Sequence, residues 1–183
     1  MLKIIIAVMI LLVATLLIYA VTKPDTFRLQ RSTMIKAPPE KIFPFINDFH
    51  QWLAWSPWER LDPELKRSFS DASQGKGTQY QWEGNSQVGT GGMEILETAP
   101  SSRILIKLDF LKPFEAHNFA EFTLEPQGTS TNVTWAMYGP QPFMAKIMSV
   151  FCMMDRMVGP QFETGLANLK ALAEEYGTSH ALR

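Results

Sequence analysis

Arg103-Ile-Leu-Ile-Lys-Leu-Asp-Phe110 alternates along its whole length. Ile104, Ile106, Leu108 and Phe110 share one face; Arg103, Leu105, Lys107 and Asp109 share the other. A period of two marks a strand with one face buried. One wet face and one dry face are the habit of antiparallel sheets.

The segments on either side repeat the pattern. Thr26 to Lys36 alternates and reads as a first strand. Ala37-Pro38-Pro39-Glu40 ends it and starts a helix, with proline at an early helical position. That helix runs to Asn47 and shows Ile42, Phe43, Phe45 and Ile46; Pro44 is expected to be tolerated only within a first turn. Leu65 to Ser70, Gln79 to Glu83 and Val88 to Thr98 follow as strands. Gly84-Asn85 turns a hairpin, and Gly89, Gly91 and Gly92 allow a bulge or bend. Beyond Phe110, Asn118 to Glu125 and Asn132 to Tyr138 alternate again, with Val133, Trp135 and Met137 on one face. Regular spacing of this kind predicts one meandering, curved sheet.

After Gly139-Pro140-Gln141-Pro142 the period becomes helical. Phe151, Met154, Val158, Phe162, Leu166, Leu169 and Ala173 recur every three or four residues, one apolar stripe on a single long helix. Gly159-Pro160 is expected to kink it and Gly177 to stop it, leaving 178–183 as a flexible tail.

At the other end, Ile4 to Val21 carries no charge over 18 residues. As a helix it would span roughly 27 Å, close to the ~30 Å hydrocarbon core. Lys3 and Lys23 flank it, and Tyr19 sits where an interfacial aromatic belongs. A cleaved signal is the alternative, but its apolar region is usually ~7–15 residues with small residues at the cleavage site. Ile18 would occupy the third position before cleavage after Ala20. The segment is expected to be a retained single-pass anchor over residues 1–22, joined by 23–26 to a domain at 27–177. Charge counts leave the side of the membrane open.

The 183 residues carry a net charge of −1, which offers no basic footprint for nucleic acid. One cysteine, Cys152, cannot form an internal disulfide or a cysteine-rich zinc site. No hydrolase elbow, phosphate loop or zinc spacing is present, so no catalytic constellation, metal or cofactor is implied.

Three of the five tryptophans stand together in Trp52-Leu-Ala-Trp55-Ser-Pro-Trp58, beside a proline, and cannot share one helix face. Such density suggests a wall around an apolar space.

Strand, short helices, meander and long C-terminal helix together resemble the helix-grip fold of the START-like (SRPBCC) superfamily, an α+β architecture. APPEKIFPFINDFHQWLAWSPWE (37–59), GTQYQWEGN (77–85), LDFLKPFEAHNFAEFTLEP (108–126), VTWAMYG (133–139) and MDRMVGPQFETGLANLKAL (154–172) are similar to its polyketide cyclase/dehydrase branch. The resemblance covers about Phe27 to Tyr176. It implies an apolar cavity between sheet and C-terminal helix, holding a lipid or other apolar small molecule. Candidate lining residues are Trp55, Trp58, Trp82, Phe110, His117, Trp135, Met137, Met154, Val158 and Phe162. Trp52 is assigned to packing, Trp55 and Trp58 to the cavity mouth. A cyclase or dehydratase is the alternative and would need an acid or base inside the cavity; an interaction protein with a vestigial cavity is the third.

Overall fold

The computed structural model describes residues 1–150 and 153–181, with side chains for all of these except 144, 148–150, 153–154 and 176–181. Expectations resting on Phe151, Cys152 or the side chain of Met154 lie outside the described residues.

Seven antiparallel strands form one sheet in the order β1-β7-β6-β5-β4-β3-β2. They are β1 (Thr26–Ile35), β2 (Lys66–Phe69), β3 (Gln79–Glu83), β4 (Thr90–Ala99), β5 (Arg103–Lys112), β6 (Ala116–Gln127) and β7 (Ser130–Pro140). The alternation seen in sequence decides their faces. Ile104 and Ile106 are fully buried on β5, while Lys107 is exposed between them and Leu108. Two register shifts in the β4–β5 pairing, at Thr90/Gly91 and Ile95/Glu97, bend the sheet. Gly91 is needed there. A Cβ at that position would collide with the Trp82 ring and the Asp109 carbonyl oxygen.

The helices are α1 (Leu2–Val21), α2 (Pro39–Asn47), α3 (Trp52–Trp55), α4 (Phe143–Val150) and α5 (Met153–Ala181). α5 crosses the inner face of the sheet and buries Phe162, Leu166, Leu169 and Ala173, the stripe expected from the sequence. It also shields the free edge of β1. Lys170 Nζ donates to the Met34 carbonyl (2.5 Å), and Glu174 accepts from the Lys36 amide (2.8 Å). Arg31 bonds Asp155 (2.8 Å) and Glu163 (2.7 Å). Its guanidinium occupies the notch at Gly159, where a Cβ would collide with it. Covered in this way, the strand edge is not a template for another chain.

Three expectations need correction. The C-terminal helical region is two elements, α4 and α5, because α4 packs on α1 rather than on the sheet. α5 also runs on through Pro160. Pro160 and Arg156, whose carbonyl loses its partner, both lie on the exposed side where water solvates the gap. Gly177 does not stop the helix, which reaches Ala181; a glycine costs a helix only about 1 kcal/mol. Pro44 lies beyond the first turn of α2, tolerated because it faces solvent.

α1 is 20 residues long, about 30 Å, and its side chains are almost all exposed. By length and composition it could cross a membrane; a signal sequence passes the same test.

Candidate functional site

The tryptophan stretch is first a device for ending α2. A helix C-terminus leaves carbonyls without partners. Trp52 Nε1 donates to the Ile46 carbonyl and Trp55 Nε1 to the Phe45 carbonyl, each at 2.9 Å. Asp48 caps the next turn by accepting from the His50 amide (2.9 Å). Asn168 of α5 donates to the Trp55 carbonyl (3.0 Å), tying the segment to the long helix.

The two indoles then enter a continuous aromatic block. Trp52 and Trp55 lie 4.7 Å apart, and Trp55 meets Trp135 edge-on at 5.5 Å. Trp135 stacks between Phe122 (4.9 Å) and Phe162 (4.1 Å, 9° between planes). The backbone of α5 comes close here because Gly165 faces the Trp135 ring. Ile35, Ile42, Ile46, Ile95 and Val133 complete this half with no exposed surface. It is the half nearest the β4–β5 and β6–β7 turns, and it is closed.

The other half of the inner face differs. It lies at the end where β1 begins, β7 ends and the β3–β4 and β5–β6 turns sit. Phe27, Met93, Leu108, Phe110 and Val158 point to the same side as the core, yet they are only partly buried. Small residues sit among them: Ala120, Gly91 and Gly139. Gly139 lies against the Asn118 side chain, a buried polar group on the inner face.

Among the expected lining residues, Phe110, Val158 and Trp58 keep free surface. Trp82 (8% exposed) and Met137 (5%) border them. Trp55 is fully buried, which leaves no water-sized space against it; it belongs with Trp52 in the scaffold rather than at a mouth. Trp135 and Phe162 are likewise in closed packing. His117 is corrected outright: it is on the outer face of β6, 61% exposed. A strand residue one position out of phase with Asn118, Ala120 and Phe122 must point outward. Leu108 stood in the apolar alternation of β5 and Asn118 in that of β6, so the sequence carried both signals without singling them out as lining.

A cluster of ionisable residues gathers on the outer face. His117 Nδ1 pairs with Asp109 (2.8 Å) and Nε2 with Glu115 (3.2 Å). Lys107 reaches the same Asp109 (2.7 Å), and Arg103 bonds Glu121 (2.6 Å) and Glu97 (3.1 Å). The Asp109 hydrogen bond raises the His117 pKa above its ordinary value. Burial pushes Asp109 up, but Lys107 and His117 outweigh it and hold its carboxyl low. Near them an open groove of about 440 Å³ runs over β2–β5, lined by Lys66, Arg67, Gln81, Glu83, Thr90 and Asp109 among others. It lies on the side away from α5. On the inner side, the Tyr80 hydroxyl donates to Glu59 (2.6 Å), whose second oxygen accepts from Arg67 (2.6 Å). Burial, then Glu59, pushes the Tyr80 phenol well up, so it stays a proton donor. All three groups satisfy one another. Among the described residues no three His, Cys, Asp or Glu side chains converge as a metal site.

Residues 26–174 match the family described as polyketide cyclase / dehydrase and lipid transport. No curated protein matches the chain in sequence. Solved structures share the fold at low identity. A protein from Chromobacterium violaceum is 18% identical (TM-score 0.54), covering 83% of this chain and 99% of its own. One from Mycobacterium smegmatis is 17% identical (TM-score 0.59), covering 84% and 95%. The Zhui aromatase/cyclase from a Streptomyces species is 11% identical (TM-score 0.58), covering 81% and 94%. With a curved seven-stranded sheet, a long helix across its inner face and a family match over most of its length, this chain belongs to the polyketide cyclase / dehydrase and lipid transport family, a helix-grip ligand-binding domain of the SRPBCC type.

Proposed function

We propose that the chain is a membrane-anchored binding module that holds a lipid or other apolar small molecule between its sheet and α5. One observation carries this: Phe27, Met93, Leu108, Phe110 and Val158 face inward and remain partly exposed. Apolar side chains that are aimed at a core and still touch solvent leave surface for an apolar ligand to cover. The anchor fits the same function. Tethering a binding site beside the bilayer raises its effective concentration over membrane-dissolved ligands.

The cyclase or dehydratase alternative draws less support from the geometry. His117, Lys107, Asp109, Arg103 and Glu121 pair with one another on the outer face, and Arg31, on the inner face, is held by Asp155 and Glu163. Native mass spectrometry of the full-length chain extracted in mild detergent tests the proposal. An apolar species of defined mass should accompany the protein and leave on delipidation. Protein that never carries such a species, and takes up no fatty-acid or sterol probe, would overturn it.

A further inference from the structure

We propose that the end of the domain bearing α4 and the β5–β6 turn is itself seated in the membrane interface that α1 crosses, so that the open half of the inner face communicates with lipid rather than with water. This rests on the membrane-anchored function proposed above.

The connection between anchor and domain is short and held. Only Thr22 to Asp25 separate α1 from β1, a reach of no more than about 17 Å. The first of these residues continue the helical bonding, Thr22 and Lys23 donating to the Tyr19 and Ala20 carbonyls. Asp25 is fixed by the Gln141 amide on its carbonyl (2.7 Å) and by Lys146 Nζ on its carboxylate (2.5 Å). α4 packs against α1, and Ala20 in the last turn of α1 is fully buried. The domain therefore stands directly on the helix end. That end bears an interfacial signature, with Lys23 Nζ 4.6 Å from the Tyr19 ring centroid.

The surface at this level is apolar. Among the described residues that follow α1, six large hydrophobic side chains are exposed, and four of them lie at the end of β5, on the β5–β6 turn, on α4 and at the start of α5. Phe114 at the tip of the turn is 81% exposed, Met157 66%, Leu111 56% and Phe143 44%. The register puts the tip at the α1 end of the sheet: Thr26 of β1 pairs Pro140 of β7, and β6 begins beside the end of β7. Aromatic and aliphatic tips flanked by Lys112 and Glu115 suit the headgroup boundary, where long charged side chains reach outward. Lys146 would enter that zone already neutralised by Asp25. Phe27, Leu108 and Phe110 open towards this same end.

Photo-crosslinking tests the seating. Phe114→benzoylphenylalanine and Thr129→benzoylphenylalanine are placed in the full-length chain, the second in the β6–β7 turn at the opposite end. Both proteins are reconstituted in phosphatidylcholine–phosphatidylglycerol vesicles, irradiated and analysed for lipid adducts. Both positions are exposed, and circular dichroism confirms that each variant is folded. Lipid adducts at 114 at least tenfold above those at 129 are expected. Protein that resists alkaline carbonate extraction yet forms no more adduct at 114 than at 129 would overturn the seating and leave the anchor intact. Protein released by carbonate would overturn both.

Discussion

The two halves of the inner face have the same alternation and opposite fates. Around Trp55, Phe122, Trp135 and Phe162 the rings fill the space between sheet and α5. Around Leu108, Phe110 and Val158 they do not. The difference lies in what stands opposite. The closed half faces α2, α3 and the Trp52–Trp58 stretch as well as α5, so large rings meet large rings. The open half lies beyond that stretch, and its Phe27, Met93, Leu108 and Phe110 stay only partly buried. An apolar pattern in a strand therefore says which face is dry, while the opposing element decides whether that face is core or site.

Trp135→Ala in the full-length chain should cost the most, about 3–5 kcal/mol of stability, read by denaturant unfolding in detergent. It removes a ring stacked on both sides in closed packing. Gly91→Ala comes next, at about 1–3 kcal/mol, because the added methyl forces Trp82 or the Asp109 carbonyl to move; the Trp82 environment should change with it in near-ultraviolet circular dichroism. Phe110→Ala should invert the balance. Its stability cost is expected at about 1–2 kcal/mol for a half-buried ring, while uptake of an apolar probe falls roughly tenfold, about 1.4 kcal/mol. If Trp135→Ala and Phe110→Ala lower stability and uptake in the same proportion, the two halves are not distinct.

The smallest effect belongs outside both. His117 is exposed and its folded pKa is raised, chiefly by Asp109. A raised histidine contributes stability below its ordinary value near 6.5 and loses it as pH rises through the folded value. His117→Gln should therefore lower the melting temperature slightly at pH 5 and not at pH 9. An equal loss at both would indicate a packing role instead.

The sequence made the sheet legible because alternation reports a face directly. Gln79 to Glu83 reads as a strand with its observed bounds, and the other strands differ by a few residues at their ends. The site was harder. Trp55 and Trp58 are three residues apart, and nothing in that spacing says that one indole caps α2 while the other keeps free surface. Composition pointed to aromatics, whereas the opening shows in the partial burial of Phe27, Met93 and Leu108 as much as of Phe110. His117 was misplaced because its neighbour Asn118 is the residue that points inward. The separation of α4 from α5 was hidden because both are apolar enough for one stripe; only the contact with α1 distinguishes them.

Mapping a photoreactive apolar ligand puts the division of the inner face to direct trial. A diazirine-bearing fatty acid would be bound to the full-length chain, irradiated, and its adducts located by peptide mass spectrometry. Adducts should fall on Phe27, Met93, Leu108, Phe110 or Val158 and spare Trp55, Phe122 and Trp135. Adducts confined to the outer groove at Lys66, Gln81 and Thr90, or spread through the closed aromatic block, would contradict it.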